Sequence, residues 1–207
     1  MRVNIFKSVK SSSPEEVELD GIVDMMRMDQ DVHMKTILYR KLRESGATEI
    51  AEQMKTTRFP SFAPSAVLYG GKGRKYALGL TDLCYLDFDN VEDEKLMIDT
   101  MNILRNDKNV FMASKSISNK GIHILVRYQL DDIDFTPQHT SLTPNEMQDI
   151  YGKLYKYFAE RYKEKLGIMP DYNAAHMERV YIISYDPELY YNPDANPFVI
   201  KSKILEQ

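Results

Sequence analysis

The stretch LCYLDFDN, residues 83–90, decides how this chain is read. It is short, apolar and alternating, the pattern of a buried β-strand. Side chains two apart on a strand share a face, so Cys84, Leu86 and Phe88 are expected to enter a core while Asp87 and Asp89 stand together on the other side. Two carboxylates roughly 7 Å apart along one strand can share or bridge Mg²⁺ or Mn²⁺, because hard divalent cations take oxygen ligands. A strand end carrying two solvated acids is written with the same letters. The apolar frame of Tyr85, Leu86 and Phe88 favours the site, since it sets the acids on an otherwise buried strand.

Working outward from this strand, EDEKLMIDTMNILRN (92–106) has helical periodicity, and NVFMASKS (109–116) and GIHILVRY (121–128) read as two strands joined by the polar turn ISNK. TPNEMQDIYGKLYKYFAERYKEKLG (143–167) is the clearest helix. Thr143 and Glu146 form a capping box, Pro144 takes the first helical position and Gly167 supplies the stop. Its stripe of Met147, Ile150, Leu154, Phe158, Tyr162 and Leu166 is core. RVYIISY (179–185) is expected to be a closing strand, followed by the turn-rich DPELYYNPDANP. Upstream, VNIFKSV (3–9) reads as a strand, SSSPEE (11–16) as a polar loop, and residues 17–55 as helical runs with a stop at Gly46. RFPSFAPSAVLYGGKGRK (58–75) reads as loop with one short strand. The expectation is one domain over residues 1–207: a strand plus helical front over about 1–58, then a catalytic-type core over about 59–200. The core is expected to be α+β, a palm-like (RRM-like), mainly antiparallel sheet with helices on one face.

Two further groups carry chemistry. His123 sits in GIHILV, where Ile122, Ile124 and Val126 alternate away from it. It follows SKSISNKG, in which Ser114, Ser116, Lys120 and the amides near Gly121 can donate to phosphate oxygens. Asp171 and Arg179 form the third lead. An arginine beside a metal site holds phosphate bidentately, as lysine cannot. Asp186 and Asp194 compete as the third carboxylate, but DP and NPDANP are turn contexts where aspartate serves the backbone, which favours Asp171.

Composition limits the classes. The 207 residues are 43% hydrophobic and 28% charged, with no apolar run long enough for a membrane helix and no apolar h-region at the amino terminus. A single cysteine, Cys84, excludes an internal disulfide framework and suits a reducing cytoplasm. The net charge of −4 argues against a simple DNA-coating protein. Locally, however, residues 54–80 and 108–130 are basic and free of acids, and they flank the acidic cluster around Asp87, an arrangement suited to metal ions with polyphosphate.

An hhhDhD strand, an SxH-type strand and a third acidic motif are the marks of the archaeo-eukaryotic primase superfamily. CYLDFD, SKSISNKGIH and MPD resemble them here. More closely, DFDN together with SYDPELYYNPDANPF resembles the amino-terminal domain of VirE-type proteins, a primase-polymerase-like branch, over roughly residues 50–200. The serines of SKSISNKGIH stand further from the histidine than in the tighter SxSGxGxH form. The resemblance implies a nucleotidyltransferase that uses nucleoside triphosphates on a DNA or RNA template, in replication of a mobile element. It implies two Mg²⁺ or Mn²⁺ ions on Asp87, Asp89 and Asp171, one activating a 3′-hydroxyl and the other stabilising the α-phosphate and pyrophosphate. His123 and Arg179, with Lys120 or Ser116, would hold the triphosphate, while Lys72, Arg74 and Lys75 would track the template beside Tyr69 or Tyr76. A helicase domain or protein is the expected partner. The rival readings are a non-catalytic nucleotide- or single-strand-binding module and an RNase H-like nuclease, which needs no His123 cradle. The histidines His33, His123, His139 and His176 form no HxH pair, which disfavours an HUH-type initiator.

Overall fold

A computed structural model describes residues 1–131, 137 and 140–201. The chain begins with β1 (Arg2–Phe6), which pairs antiparallel with β2 (Glu15–Glu18). The polar loop expected over 11–16 therefore ends in a strand. EEVE offers only one apolar residue to mark it. The strand is held by its backbone pairing with β1 and by Val17 against the core, with exposed pairs from Arg2 to Glu16 at 2.8 Å and Glu18 at 3.0 Å adding little. Its row of acids also blunts the exposed sheet edge.

Three helices follow, α1 (Leu19–Met28), α2 (Gln30–Glu44) and α3 (Thr48–Arg58). Leu19, Ile22, Val23 and Met26 are all buried, so α1 presents one apolar stripe. Asp29 caps α2 by accepting the Val32 amide at 2.8 Å, and Gly46 (φ 80°) provides the left-handed turn that ends the run. The stretch 58–75, expected to hold one short strand, holds two, β3 (Ser61–Ala63) and β4 (Ala66–Leu68), and β5 (Ala77–Leu80) follows just beyond it. Each is too short for alternation to show.

The central unit comprises β6 (Leu83–Phe88), α4 (Glu94–Arg105), β7 (Val110–Lys115), β8 (Ile122–Leu130) and α5 (Pro144–Leu166). β8 lies in the middle, with β6 and β7 antiparallel on its flanks, in a register that sets both Asp87 and Ser114 opposite His123. The capping box of α5 forms as expected, and Gly167 (φ 68°) closes that helix. On one face of the sheet Cys84, Leu86, Phe88, Ile122, Ile124 and Val126 pack against Met97, Met101 and Leu104 of α4 and the stripe of α5.

The closing strand differs from expectation. Only Tyr181–Ile182 of RVYIISY forms a strand, β9, and it pairs with β3 instead of extending the central sheet. The cause is packing: the Tyr181 ring lies 4.9 Å from Phe62, 5.2 Å from Tyr85 and 4.8 Å from His123, which draws the segment across to the first sheet. That sheet runs β2-β1-β3-β9, while β10 (Tyr190–Tyr191) and β11 (Phe198–Ile200) border β7 and the far half of β8. The second face of the central sheet carries Leu83, Tyr85 and Leu125, covered by α1, Val3, Phe62 and Tyr181. At its Asp87–His123 end a cleft remains. The chain is thus an α+β protein with mainly antiparallel sheets. Among the described residues no helix is long and apolar enough to cross a membrane.

Candidate metal centre

A cleft of about 350 Å³ opens where the two sheets diverge, with Asp87, Asp89, His123 and Arg179 in its lining. Asp87 is the penultimate residue of β6 and is only 6% exposed. Asp89 lies just past the strand, where the chain turns through Asn90 in a left-handed conformation (φ 62°) that asparagine tolerates. Asp171 comes from another direction altogether, the loop after α5. Its backbone amide donates to the Asp87 carbonyl at 2.8 Å, and Tyr155 of α5 donates its hydroxyl to the Asp171 carbonyl at 2.6 Å. These two bonds fix a residue remote in sequence beside the strand. One carboxylate oxygen from each of Asp87, Asp89 and Asp171 lies within 4.8 Å of the others, so the triad can hold a metal ion. The donor set is all oxygen, the chemistry that hard divalent cations select.

Arg179 bridges the acids, donating from one guanidinium nitrogen to Asp87 Oδ2 at 3.0 Å and Asp171 Oδ2 at 3.3 Å. It precedes β9 and is not part of that strand. His123 is 8% exposed, and its Nε2 stands 3.3 Å from Asp87 Oδ1. Its ring packs edge-on against Tyr85 and Tyr181. Burial by itself would raise the Asp87 carboxyl, but His123 and Arg179 outweigh it and hold the group at about 2. Asp89 moves the other way, pushed up by burial and then by the charge of Asp87. His123 and Arg179 thus act chiefly on Asp87, and at Asp89 they only partly offset burial and the charges of Asp87 and Asp171. The 3.3 Å contact with His123 Nε2 lacks hydrogen-bond geometry, so Asp87 Oδ1 makes no well-formed hydrogen bond, and His123 Nδ1 is buried with no partner among the described residues. A buried carboxylate oxygen held only by this 3.3 Å contact, inside an oxygen-lined cluster, is consistent with a cation ligand.

The remaining candidates divide. Ser116 lines the cleft, its hydroxyl 3.1 Å from that of Ser118. Ser114 does not: it is fully buried and hydrogen-bonded to the Tyr181 hydroxyl behind His123, so it fixes the two sheets to each other and offers nothing to phosphate. Lys120 pairs with Glu92 at 3.2 Å and lines a neighbouring cavity. The three cations expected to track a template are partly occupied. Lys72 reaches the Val9 carbonyl and lies over the Phe6 ring, Arg74 stands 3.9 Å from Glu178, and Lys75 lies over Tyr76. Asp186, set aside at the sequence level as a turn residue, is indeed one: its carboxylate accepts the amides of Lys115 and Glu188.

Sequence reasoning missed the cleft's other wall. Tyr39 of α2, Lys55 of α3, Val9 and Ile182 all line it. Lys55 was visible as part of the basic 54–80 segment, but nothing in the helical spacing of the front pointed it at the acids. Gly121 was also missed as a packing residue: a Cβ there would stand 2.7 Å from the Phe88 carbonyl and 3.5 Å from Asp89 Oδ1, so the β7–β8 turn lies against the end of β6 only because it has none.

No curated protein and no solved structure gives a match to the chain. A family model described as BT4734-like, N-terminal domain, matches residues 54–191. That span runs from the end of α3 through β10 and includes every member of the triad together with His123 and Arg179. The chain belongs to the BT4734-like N-terminal domain family.

Proposed function

We propose that this protein is a metal-dependent nucleotidyltransferase of the primase-polymerase type, akin to VirE-type amino-terminal domains, acting in the cytoplasm on nucleoside triphosphates and a nucleic-acid template during replication of a mobile element. One observation carries the reading: Asp87, Asp89 and Asp171 converge from two separate segments within 4.8 Å, with Arg179 and His123 against them in an open cleft. A structural acid cluster has no need of a cleft, and a purely structural arginine has no need of one third of its side chain exposed there.

Asp87, Asp89 and Asp171 would hold Mg²⁺ or Mn²⁺. Divalent ions at such a site supply Lewis-acid stabilisation of phosphoryl oxygens and lower the pKa of an attacking hydroxyl. Arg179 then serves two partners. Without a ligand it neutralises Asp87 and Asp171, and with a nucleotide its planar fork can turn to phosphate oxygens. His123 holds Asp87 in position from behind, wedged between Tyr85 and Tyr181. Ser116 and Ser118 offer hydroxyls on the cleft wall.

The test is incorporation of labelled dNTPs or NTPs with Mn²⁺ or Mg²⁺, on a template with and without primer. The wild type is expected to incorporate label, and Asp87→Asn to lose activity by on the order of 10²-fold or more. Binding of metal and nucleotide without incorporation under any condition would leave a binding module in its place. Cleavage of phosphodiesters without triphosphate would make it a nuclease.

A further inference from the structure

Beside the cleft lies a second cavity of about 400 Å³, lined by Arg40, Arg43, Glu44, Glu92, Ser118, Asn119 and Lys120. The two meet at Ser118, which lines both. Its cations come from two unconnected parts of the chain, α2 and the β7–β8 turn. Arg40 is the central one. Among the described residues no carboxylate lies within ion-pair distance of it, and the one hydrogen bond its side chain makes runs from Nε to the Ile117 carbonyl at 3.0 Å. Burial pushes its guanidinium down, the more distant charges of Asp186 and Glu44 push it back up, and it stays charged, with no hydrogen bond from its two terminal nitrogens among the described residues. Its accessible terminal nitrogens can donate to an anion in the cavity. Arg43 and Lys120 are held only by exposed single contacts, to Glu52 at 3.3 Å and Glu92 at 3.2 Å, pairs that are readily exchanged for a more highly charged ligand. Asn119 (φ 60°) bends the turn so that Ser118, Asn119 and Lys120 all face this cavity.

We propose that α2 completes a polyphosphate station: Arg40 and Arg43, with Ser118 and Lys120, hold the anionic tail of a nucleotide whose reacting phosphate lies at Asp87, Asp89 and Asp171. The identity of the ligand as a nucleotide rests on the function proposed above; the preference for phosphate rests on the cations themselves. The helical front is then one jaw of the site, and the triad and β7–β8 turn are the other. Specificity for triphosphates over monophosphates arises in this second cavity, since only the longer tail spans past Ser118.

The probe is inorganic tripolyphosphate, titrated calorimetrically into the full chain, with a nucleoside triphosphate, the matching monophosphate and a short oligonucleotide as further arms. Arg43→Gln combined with Lys120→Gln changes only exposed side chains and is expected to keep the wild-type melting temperature. It should bind tripolyphosphate at least on the order of tenfold more weakly, bind Mn²⁺ as the wild type does, and lose most of the preference for tri- over monophosphate. Arg40→Gln, checked by its melting curve because it also releases the Ile117 carbonyl, should weaken tripolyphosphate binding further. Equal tripolyphosphate affinity in wild type and the double variant overturns the proposal. So does an oligonucleotide that displaces tripolyphosphate at equal strength, which would make the cavity a strand-backbone site. If no label is ever incorporated while arginine-dependent tripolyphosphate binding persists, the nucleotidyltransferase reading fails and the anion station stands.

Discussion

Asp87 and Asp89 share three letters of sequence but occupy different physical settings. Asp87 is enclosed by His123 and Arg179 and kept ionised, while Asp89 stands at the rim under the repulsion of Asp87 and Asp171. What brings them into one site is the tight contact at Gly121, where the β7–β8 turn rests on the Phe88 carbonyl and the Val91 amide donates to the Lys120 carbonyl at 2.9 Å. A methyl group at Gly121 meets backbone at 2.7 Å, and backbone cannot rotate aside as the end of a side chain can. Gly121→Ala is therefore expected to destabilise the fold by about 1–3 kcal/mol and to weaken Mn²⁺ binding by displacing Asp89 from Asp87 and Asp171. Gly152→Ala in α5, whose new Cβ finds its nearest neighbour at 3.8 Å, is the control. It should be neutral or gain about 0.5–1 kcal/mol from helix propensity. Melting curves and Mn²⁺ titrations on both variants decide the matter. Wild-type Mn²⁺ affinity in Gly121→Ala would show that the turn does not position Asp89.

At the scale of elements, α5 is the piece that ties the site to the core. Its amino-terminal half contributes Tyr155, which holds Asp171, and its carboxy-terminal half contributes Tyr162 and Lys165, which meet Asp107 in the turn between α4 and β7. Burial would raise the Asp107 carboxyl, but Lys165, the Asn109 amide and Tyr162 together bring it below the usual carboxylate range. A carboxyl depressed on folding contributes stability above its unfolded pKa of about 3.9, and that contribution is lost as pH falls through the lower folded value. Asp107→Ala removes it and leaves the buried Tyr162 hydroxyl without its acceptor, at a cost of about 1–3 kcal/mol. The wild type and variant should thus differ most in melting temperature at pH 7, and the gap should narrow in strong acid to what the Tyr162 hydrogen bond contributes. A gap that persists unchanged below pH 2 would contradict this account. The same elements show what sequence could reveal. The helix α5, the strand pair β7–β8 and β6 were legible because their periodicity is long and their caps are explicit. Of the strands β2, β3, β4 and β5 only one, within residues 58–75, was expected, since three or four residues cannot display alternation. Asp87, Asp89, Asp171, His123 and Arg179 were legible as chemistry and do come together. Ser114 was misplaced because strand parity sets it on the face of His123 but cannot show Tyr181 closing over it.

At the scale of the whole molecule, the sequence divides near residue 58 into a helical front and a core, but the packing does not respect that division. Val3, Leu19, Ile22, Val23, Met26 and Val32 from the front lie in one cluster with Phe62, Leu83, Tyr85, Leu125 and Tyr181. The β1–β3 pairing then carries the same union through backbone hydrogen bonds. The family match, in contrast, covers residues 54–191 and leaves β1, β2, α1 and α2 outside it, with β11 beyond its far end. The matched span and the folding unit should therefore differ. Each of the six buried front side chains contributes roughly 1.5–3 kcal/mol. Together they amount to about 9–18 kcal/mol, comparable with the entire stability of an ordinary domain, about 5–15 kcal/mol. A fragment of residues 54–207, which keeps β11, is accordingly expected to lose cooperative melting and to bind a hydrophobic dye, although it retains the triad, His123 and Arg179. Supplying residues 1–53 as a separate chain should restore a melting transition, because the apolar surface that α1 and β1 cover is then covered again. A sharp melting transition in the fragment alone would show that the central sheet buries its second face without the front, and the helical front would then be an appendage and not half of the fold.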